Sequence, residues 1–116
     1  MVAALPSGEN QMTNKLLYNY RAKVVRLIDG DTIDFDVWLG FGVVFRIRTR
    51  LLDVDTPERG QEGFHQATDV LRGLLDSATD RDGFENITTK KTGKYGRWLV
   101  NIPFVNSGMS RYWPSK

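Results

Sequence analysis

Between Ile33 and Leu51 the chain alternates apolar and polar residues with a period of two. Ile33, Phe35, Val37 and Leu39 fall on one side of such a segment, with Asp34, Asp36 and Trp38 on the other. Gly40-Phe41-Gly42 interrupts the pattern. It then returns from Val43, with Phe45, Ile47 and Leu51 on one side and Arg46, Arg48 and Arg50 on the other. Successive strand side chains point to opposite faces, so this pattern specifies two half-buried strands joined by a glycine turn. Upstream, the apolar residues Val24, Val25, Leu27 and Ile28 lead into Asp29-Gly30-Asp31. This reads as a further strand from about Tyr20 to Ile28, closed by a tight turn that Gly30 makes without steric cost. The first half is therefore expected to be an antiparallel meander.

The pattern changes after Pro57 and Gly60. Phe64, Ala67, Val70, Leu71, Leu74 and Leu75 recur at helical spacing and predict an amphipathic helix of three to four turns. Polar residues 76 to 83 read as a loop. Strands are expected over 85 to 91 and 96 to 104, followed by a brief helix from about Asn106 to Tyr112, capped by Asn106 and ended before Pro114. Five strands, with one main helix between the third and fourth and a short C-terminal helix, is the element order of an OB-fold barrel, a mainly β (α+β) architecture. Residues 1–17 are expected to be a flexible N-terminal tail, 18–113 the domain, and 114–116 a short tail. Gly108 is unusual inside a terminal helix, where it costs about 1 kcal/mol against alanine.

Composition narrows the chemistry. A chain of 116 residues, 41% hydrophobic and 26% charged, has room for one ordinary core. It has no cysteine and a single histidine, His65, which removes thiolate chemistry and leaves little for a zinc site or a serine–histidine pair. His65 itself reads as a polar position on the helix, and Trp98 as a core residue. No apolar run approaches the roughly 18 residues of a membrane span, and the first residues have no signal-peptide pattern. A soluble, monomeric chain with no membrane attachment is expected, with a cytoplasmic setting favoured. The net charge of +2 says little about nucleic acid by itself.

Carboxylates, arginines, lysines and hydroxyls remain. Asp31 follows the first turn and Asp55 closes the third strand, so one rim of a barrel can bring both together. Hard cations such as Ca²⁺ or Mg²⁺ take oxygen ligands of this kind; equally, Asp29, Asp31 and Asp55 are residue types that favour turns for local reasons. Arg46 and Arg48 fit a solvated strand face paired with Asp34 or Asp36. Arg50, five residues before Asp55, and Arg97 in GKYGRW can each make bidentate contacts to phosphate oxygens. Glu58, just after Pro57, is placed to orient or deprotonate a water, or is simply a turn acid.

Taken together, VVRLIDGDT, RLLDVDTPE and TGKYGRWL, in that order, resemble the three signature segments of the staphylococcal nuclease (thermonuclease) family, over about Tyr20 to Met109. The resemblance implies an OB-fold endonuclease that uses Ca²⁺ to hydrolyse phosphodiester bonds of DNA and RNA, leaving 3′-phosphates, with single-stranded or denatured nucleic acid preferred. By motif it implies Asp31, Asp55 and the carbonyl of Thr56 as metal ligands. Arg50, Glu58 and Arg97 take the catalytic positions, and Lys94 and Tyr95 contact the terminal phosphate of the nucleotide. Asp53 stands where many members have a neutral residue, and Gly93 where an acid is frequent. The rival reading is a barrel that grips single strands through basic and aromatic groups without cutting them.

Overall fold

The computed structural model describes residues 18–91 and 98–115. Strand β1 (Tyr18–Asp29), β2 (Thr32–Gly40) and β3 (Val43–Leu51) form the expected meander. Helix α1 (Phe64–Ala78) follows, then β4 (Glu85–Lys91), β5 (Trp98–Asn101) and helix α2 (Val105–Ser110). The strands close into a barrel in the order β1-β2-β3-β5-β4, mainly β and of OB type. All neighbours are antiparallel except β3 and β5, which run parallel through Thr49↔Trp98 to Leu51↔Val100.

Register follows the alternation read from the sequence. Ile33↔Thr49, Phe35↔Ile47 and Val37↔Phe45 pair on one face, while Asp34↔Arg48 and Asp36↔Arg46 pair on the other. Ile33, Phe35 and Val37 enter the core with Ala22, Leu51, Ile87 and Val100. Each arginine forms a two-pronged contact with its opposite aspartate: Arg46 to Asp36 at 2.8 and 3.1 Å, Arg48 to Asp34 at 2.8 and 3.2 Å.

Helix α1 closes one end of the barrel. Phe64, Ala67, Leu71 and Leu75 lie three and four residues apart and are buried on one side. The helix ends where the Thr79 N–H donates to the Leu75 carbonyl. His65 is exposed.

Three local readings change. β5 covers four residues, and its last, Asn101, is followed by a turn into α2. Asn106 lies inside α2, and Phe104 holds the cap position. Its side chain is buried: Oδ1 accepts the Ile102 N–H at 2.7 Å, and Nδ2 donates to the carbonyls of Leu52 at 2.9 Å and Val100 at 3.1 Å. Gly108 is explained by packing, because a Cβ there would lie 2.9 Å from Leu74 Cδ1 of α1. Beyond α2, Pro114 bridges to Val54 and the Ser115 N–H donates to the Asp53 carbonyl at 3.1 Å. Asp53 itself has φ of 64°, a left-handed conformation that aspartate tolerates better than most residues.

Candidate active site

The β1–β2 turn, the end of β3 and the segment leaving it meet at one rim of the barrel. Gly30 makes that meeting possible. A Cβ at this position would stand 2.8 Å from the Cβ of Ala67 on α1 and 2.8 Å from Oγ1 of Thr56. The turn therefore sits directly on the helix, and Asp31 is carried inward beside Thr56.

Asp31 is 5% exposed. Its Oδ2 accepts the Thr56 N–H at 3.1 Å, its Oδ1 accepts the Thr32 hydroxyl at 3.0 Å, and its own N–H donates to Asp29 Oδ1 at 3.1 Å. Burial, helped by the neighbouring Asp29 carboxylate, pushes its pKa up to about 6, and the Thr56 N–H and Arg50 hold it back from rising further.

Arg50 projects from the same side of β3 as Arg46 and Arg48, one step nearer the rim. One of its terminal nitrogens lies 3.4 Å from Asp31 Oδ2 and 3.3 Å from Asp55 Oδ1. One guanidinium thus spans two carboxylates from segments 24 residues apart in sequence. Asp55 is held in place by its N–H, which donates to the Trp113 carbonyl at 3.0 Å. Glu58 is exposed beyond Pro57, and its N–H donates to Gln61 Oε1 at 2.7 Å, which fixes the turn that carries it.

These side chains line one open cavity of about 890 Å³, shared by Asp31, Arg50, Asp55, Thr56 and Glu58. Sequence reasoning missed Gln61 there. It placed Arg48 only in a surface pair, whereas Arg48 also lines the cavity, and it placed Trp98 in the core, whereas Trp98 is half-buried and faces the cavity. Lys94, Tyr95 and Arg97 lie outside the described residues.

Among the described residues, no three His, Cys, Asp or Glu side chains form a ready-made metal cage. The donors that do converge are nevertheless of the right kind for a hard cation. Asp31 and Asp55 both reach the Arg50 guanidinium, and Asp31 is desolvated with its proton affinity raised, as expected of a buried carboxylate short of positive charge. The hydroxyl of Thr56 is buried with no hydrogen-bond partner, so this segment is not fully satisfied by protein groups. The residues present fit an oxygen-liganded divalent ion.

Fold and cavity together define a closed five-stranded OB-type barrel with an arginine–carboxylate pocket at one rim. No protein-family model matches the chain. It is similar to a micrococcal nuclease of Shigella flexneri, 40% identical over 83 residues, covering 70% of this chain and 41% of that protein. It is also similar to Protein ParB of Escherichia coli, 37% identical over 85 residues, covering 71% and 41% respectively. An uncharacterized endonuclease of Escherichia coli O157:H7 is 28% identical over 95 residues, covering 82% of this chain and 55% of that protein. The chain spans about half the length of these relatives or less. The barrel and its rim form a staphylococcal nuclease-like domain.

Proposed function

We propose that this chain is a metal-dependent endonuclease that hydrolyses phosphodiester bonds of DNA and RNA, with Ca²⁺ as its ion and 3′-phosphates as its products. The observation that carries this reading is the single Arg50 guanidinium within 3.4 Å of both Asp31 and Asp55, in the cavity that Glu58 also lines. The names of the relatives, a micrococcal nuclease and an uncharacterized endonuclease, support it.

In this mechanism Asp31, Asp55 and the Thr56 carbonyl would hold the ion, which would supply polarisation of a phosphoryl oxygen and offset the repulsion between the acids. Arg50 gives its N–H groups to the non-bridging oxygens of the scissile phosphate, exchanging part of its contact with the carboxylates for a contact that strengthens as charge accumulates. Glu58 orients a water for in-line attack and receives its proton; the P–O5′ bond opposite the water breaks, the phosphate stays on the 3′-oxygen, and the departing 5′-oxygen takes a proton from solvent, which the exposed position of Glu58 on a fixed turn admits to the site. Arg97 is assigned a second contact to the phosphate, and Lys94 and Tyr95 the terminal phosphate of the nucleotide. An open, polar-lined cavity suits an unpaired strand better than a stiff duplex, hence the preference for denatured substrate.

Incubation with denatured DNA and calcium should raise the absorbance at the nucleobase band, and a chelator should stop the rise. Arg50→Ala or Glu58→Ala should lower kcat by a factor of roughly 10² to 10⁴ without changing the melting temperature by more than a few degrees. Full activity in a purified Glu58→Ala protein would sink the mechanism. Binding of single strands by the wild-type chain with no cleavage under any divalent ion would favour the non-cutting module instead.

A further inference from the structure

The side of the β1–β2–β3 meander that faces away from the core is laid out in rows, and the first row belongs to the pocket: Thr32 stands opposite Arg50. Outward from it come Arg26, Asp34 and Arg48, then Lys23, Asp36 and Arg46, and last Arg21, Trp38 and Val44. Arg48 belongs to both surfaces, since it also lines the cavity of Asp31 and Arg50. Rows two residues apart are separated by about 7 Å, so the strip from Thr32 to Trp38 is about 20 Å long.

The two aspartates do not cancel this surface, because they lie beneath the arginines. The side chains of Asp34 and Asp36 are 15 and 26% exposed, against 64, 65 and 56% for Arg26, Arg46 and Arg48. Both oxygens of each carboxylate are taken by Nε and one terminal nitrogen of the facing Arg46 or Arg48. A guanidinium has five N–H groups, so three remain on each of these arginines, and among the described residues none of the three meets a protein acceptor. The recessed acid thus fixes the plane of the guanidinium and leaves its other N–H groups for an acceptor arriving from solvent. Lys23, in the middle row, forms no ion pair among the described residues; its Nζ lies 4.8 Å from the Phe84 ring and 5.8 Å from that of Trp38.

The far end of the strip is aromatic. Trp38 is 37% exposed and meets Phe84 edge to face, with ring centroids 4.9 Å apart. Arg21, paired with Asp80 at 2.9 Å, lies 4.0 Å over the Phe84 ring. With Asn19 these residues line an open cavity of about 410 Å³, within the size range of small-ligand pockets. Beyond it the hairpin tip stands uncovered, with Phe41 fully exposed.

We propose that this strip is the track of a single nucleic-acid strand running to the pocket, with Arg48, Arg26, Lys23 and Arg46 holding successive phosphates and Trp38 stacking on a base. The proposal rests on the nuclease reading for the scissile end of the track and extends it from one phosphate to the nucleotides beyond. Three features select a single strand over another polyanion. The cations lead without a break from the cavity, in steps close to one nucleotide of an extended strand. A length of about 20 Å takes about four nucleotides, the lower end of what one OB-type barrel binds. The aromatic end offers a face on which any unpaired base can stack, whereas a duplex keeps its bases stacked on one another.

Fluorescence anisotropy of end-labelled thymidine oligonucleotides in EDTA measures binding with no metal present, so the strip is tested apart from cleavage. Affinity should rise as the strand lengthens from two to about six nucleotides and then level off. With three or four phosphates neutralised, log affinity should fall against log salt with a slope of about −2 to −3. Arg46→Gln and Lys23→Gln should each weaken binding of an eight-nucleotide strand by roughly threefold to tenfold and reduce that slope by about 0.7. Arg111→Gln, which removes the same charge from an exposed position off the strip, should change it less than about twofold. Trp38→Leu should weaken binding by roughly fivefold or more, and should make no difference to an abasic strand of the same length. Affinity that stops rising at two nucleotides overturns the proposal, as do Arg46→Gln and Lys23→Gln variants that bind as well as Arg111→Gln. An equal loss on the abasic strand removes Trp38 from the track. A chain that passes these tests but cuts no denatured DNA under calcium overturns the nuclease reading and leaves the strip as a grip on single strands.

Discussion

Gly30 shows most directly how one residue governs the pocket. Its hypothetical Cβ would press on Ala67 and Thr56 at under 3 Å, and Ala67 is fixed to the backbone of α1. Gly30→Ala should therefore push the β1–β2 turn off the helix, lowering stability by about 3 kcal/mol in urea titration. It should also lower activity by more than that stability loss accounts for, because Asp31 moves with the turn. Glu85 raises a different question. It is 2% exposed, one of its oxygens has no partner, and its other oxygen meets the Thr79 hydroxyl, which also lies 2.6 Å from the Leu75 carbonyl. A hydroxyl has one proton and Leu75 O has none, so the Thr79 hydroxyl can meet both neighbours when it donates to Leu75 and a protonated Glu85 donates to it, with the other Glu85 oxygen still unpartnered. Burial accordingly raises the Glu85 pKa, with the carboxylates of Asp76 and Asp80 adding to the rise and the Thr79 contact opposing it. A carboxyl whose pKa is raised on folding contributes its full stability below the unfolded value and loses it as pH rises through the folded value. Glu85→Gln should thus be more stable than wild type near pH 8, and the difference should shrink toward zero near pH 4. An advantage independent of pH would contradict this assignment.

At the scale of the elements, the strands were legible because one side of each is buried and the other solvated. The period-two pattern fixes register, since a slip of one residue would turn Phe35 outward and Asp34 inward. The cross-strand pairing of Arg46 with Asp36 and of Arg48 with Asp34 follows from that register. These pairs are largely exposed, with both arginines more than half accessible, and the aspartate carboxyls are held below the usual range by the facing guanidinium. Arg46→Ala should consequently cost less than about 1 kcal/mol, and the loss should shrink further in high salt. Helix α2 was harder to read. Asn106 looked like a cap because asparagine favours caps, but a buried amide that satisfies three backbone groups outweighs that preference. Gly108 looked like a defect because its reason, Leu74, is 34 residues away.

In the whole molecule, Asn106 joins three segments that close the barrel: the exit of β3 at Leu52, strand β5 at Val100, and the turn at Ile102. Asn106→Ala would take the side-chain partner from the Ile102 N–H and the Leu52 carbonyl, while the Val100 carbonyl keeps the Leu52 N–H, and should lower stability by about 2 kcal/mol with a visible drop in melting temperature. Asn106→Asp should also destabilise, since a carboxylate keeps the Ile102 contact but cannot donate to the two carbonyls. The closing segment reaches the pocket as well. Trp113 accepts the Asp55 N–H and Pro114 bridges to Val54, so a candidate metal ligand is positioned by residues nearly 60 positions downstream.

The sequence by itself determined the strands, the main helix, the barrel class, and the identity of the acids and the arginine at the rim. Those depend on alternation, on glycine and proline at turns, and on motifs only a few residues long. Tertiary structure alone decided that Asp31 is desolvated, that Arg50 spans two carboxylates, that Gln61 and Trp98 line the same cavity, and that the hairpin tip is left uncovered. Each of these is a distance or an exposure set by segments far apart in the chain, and a local pattern specifies which face a side chain takes without specifying what stands opposite it.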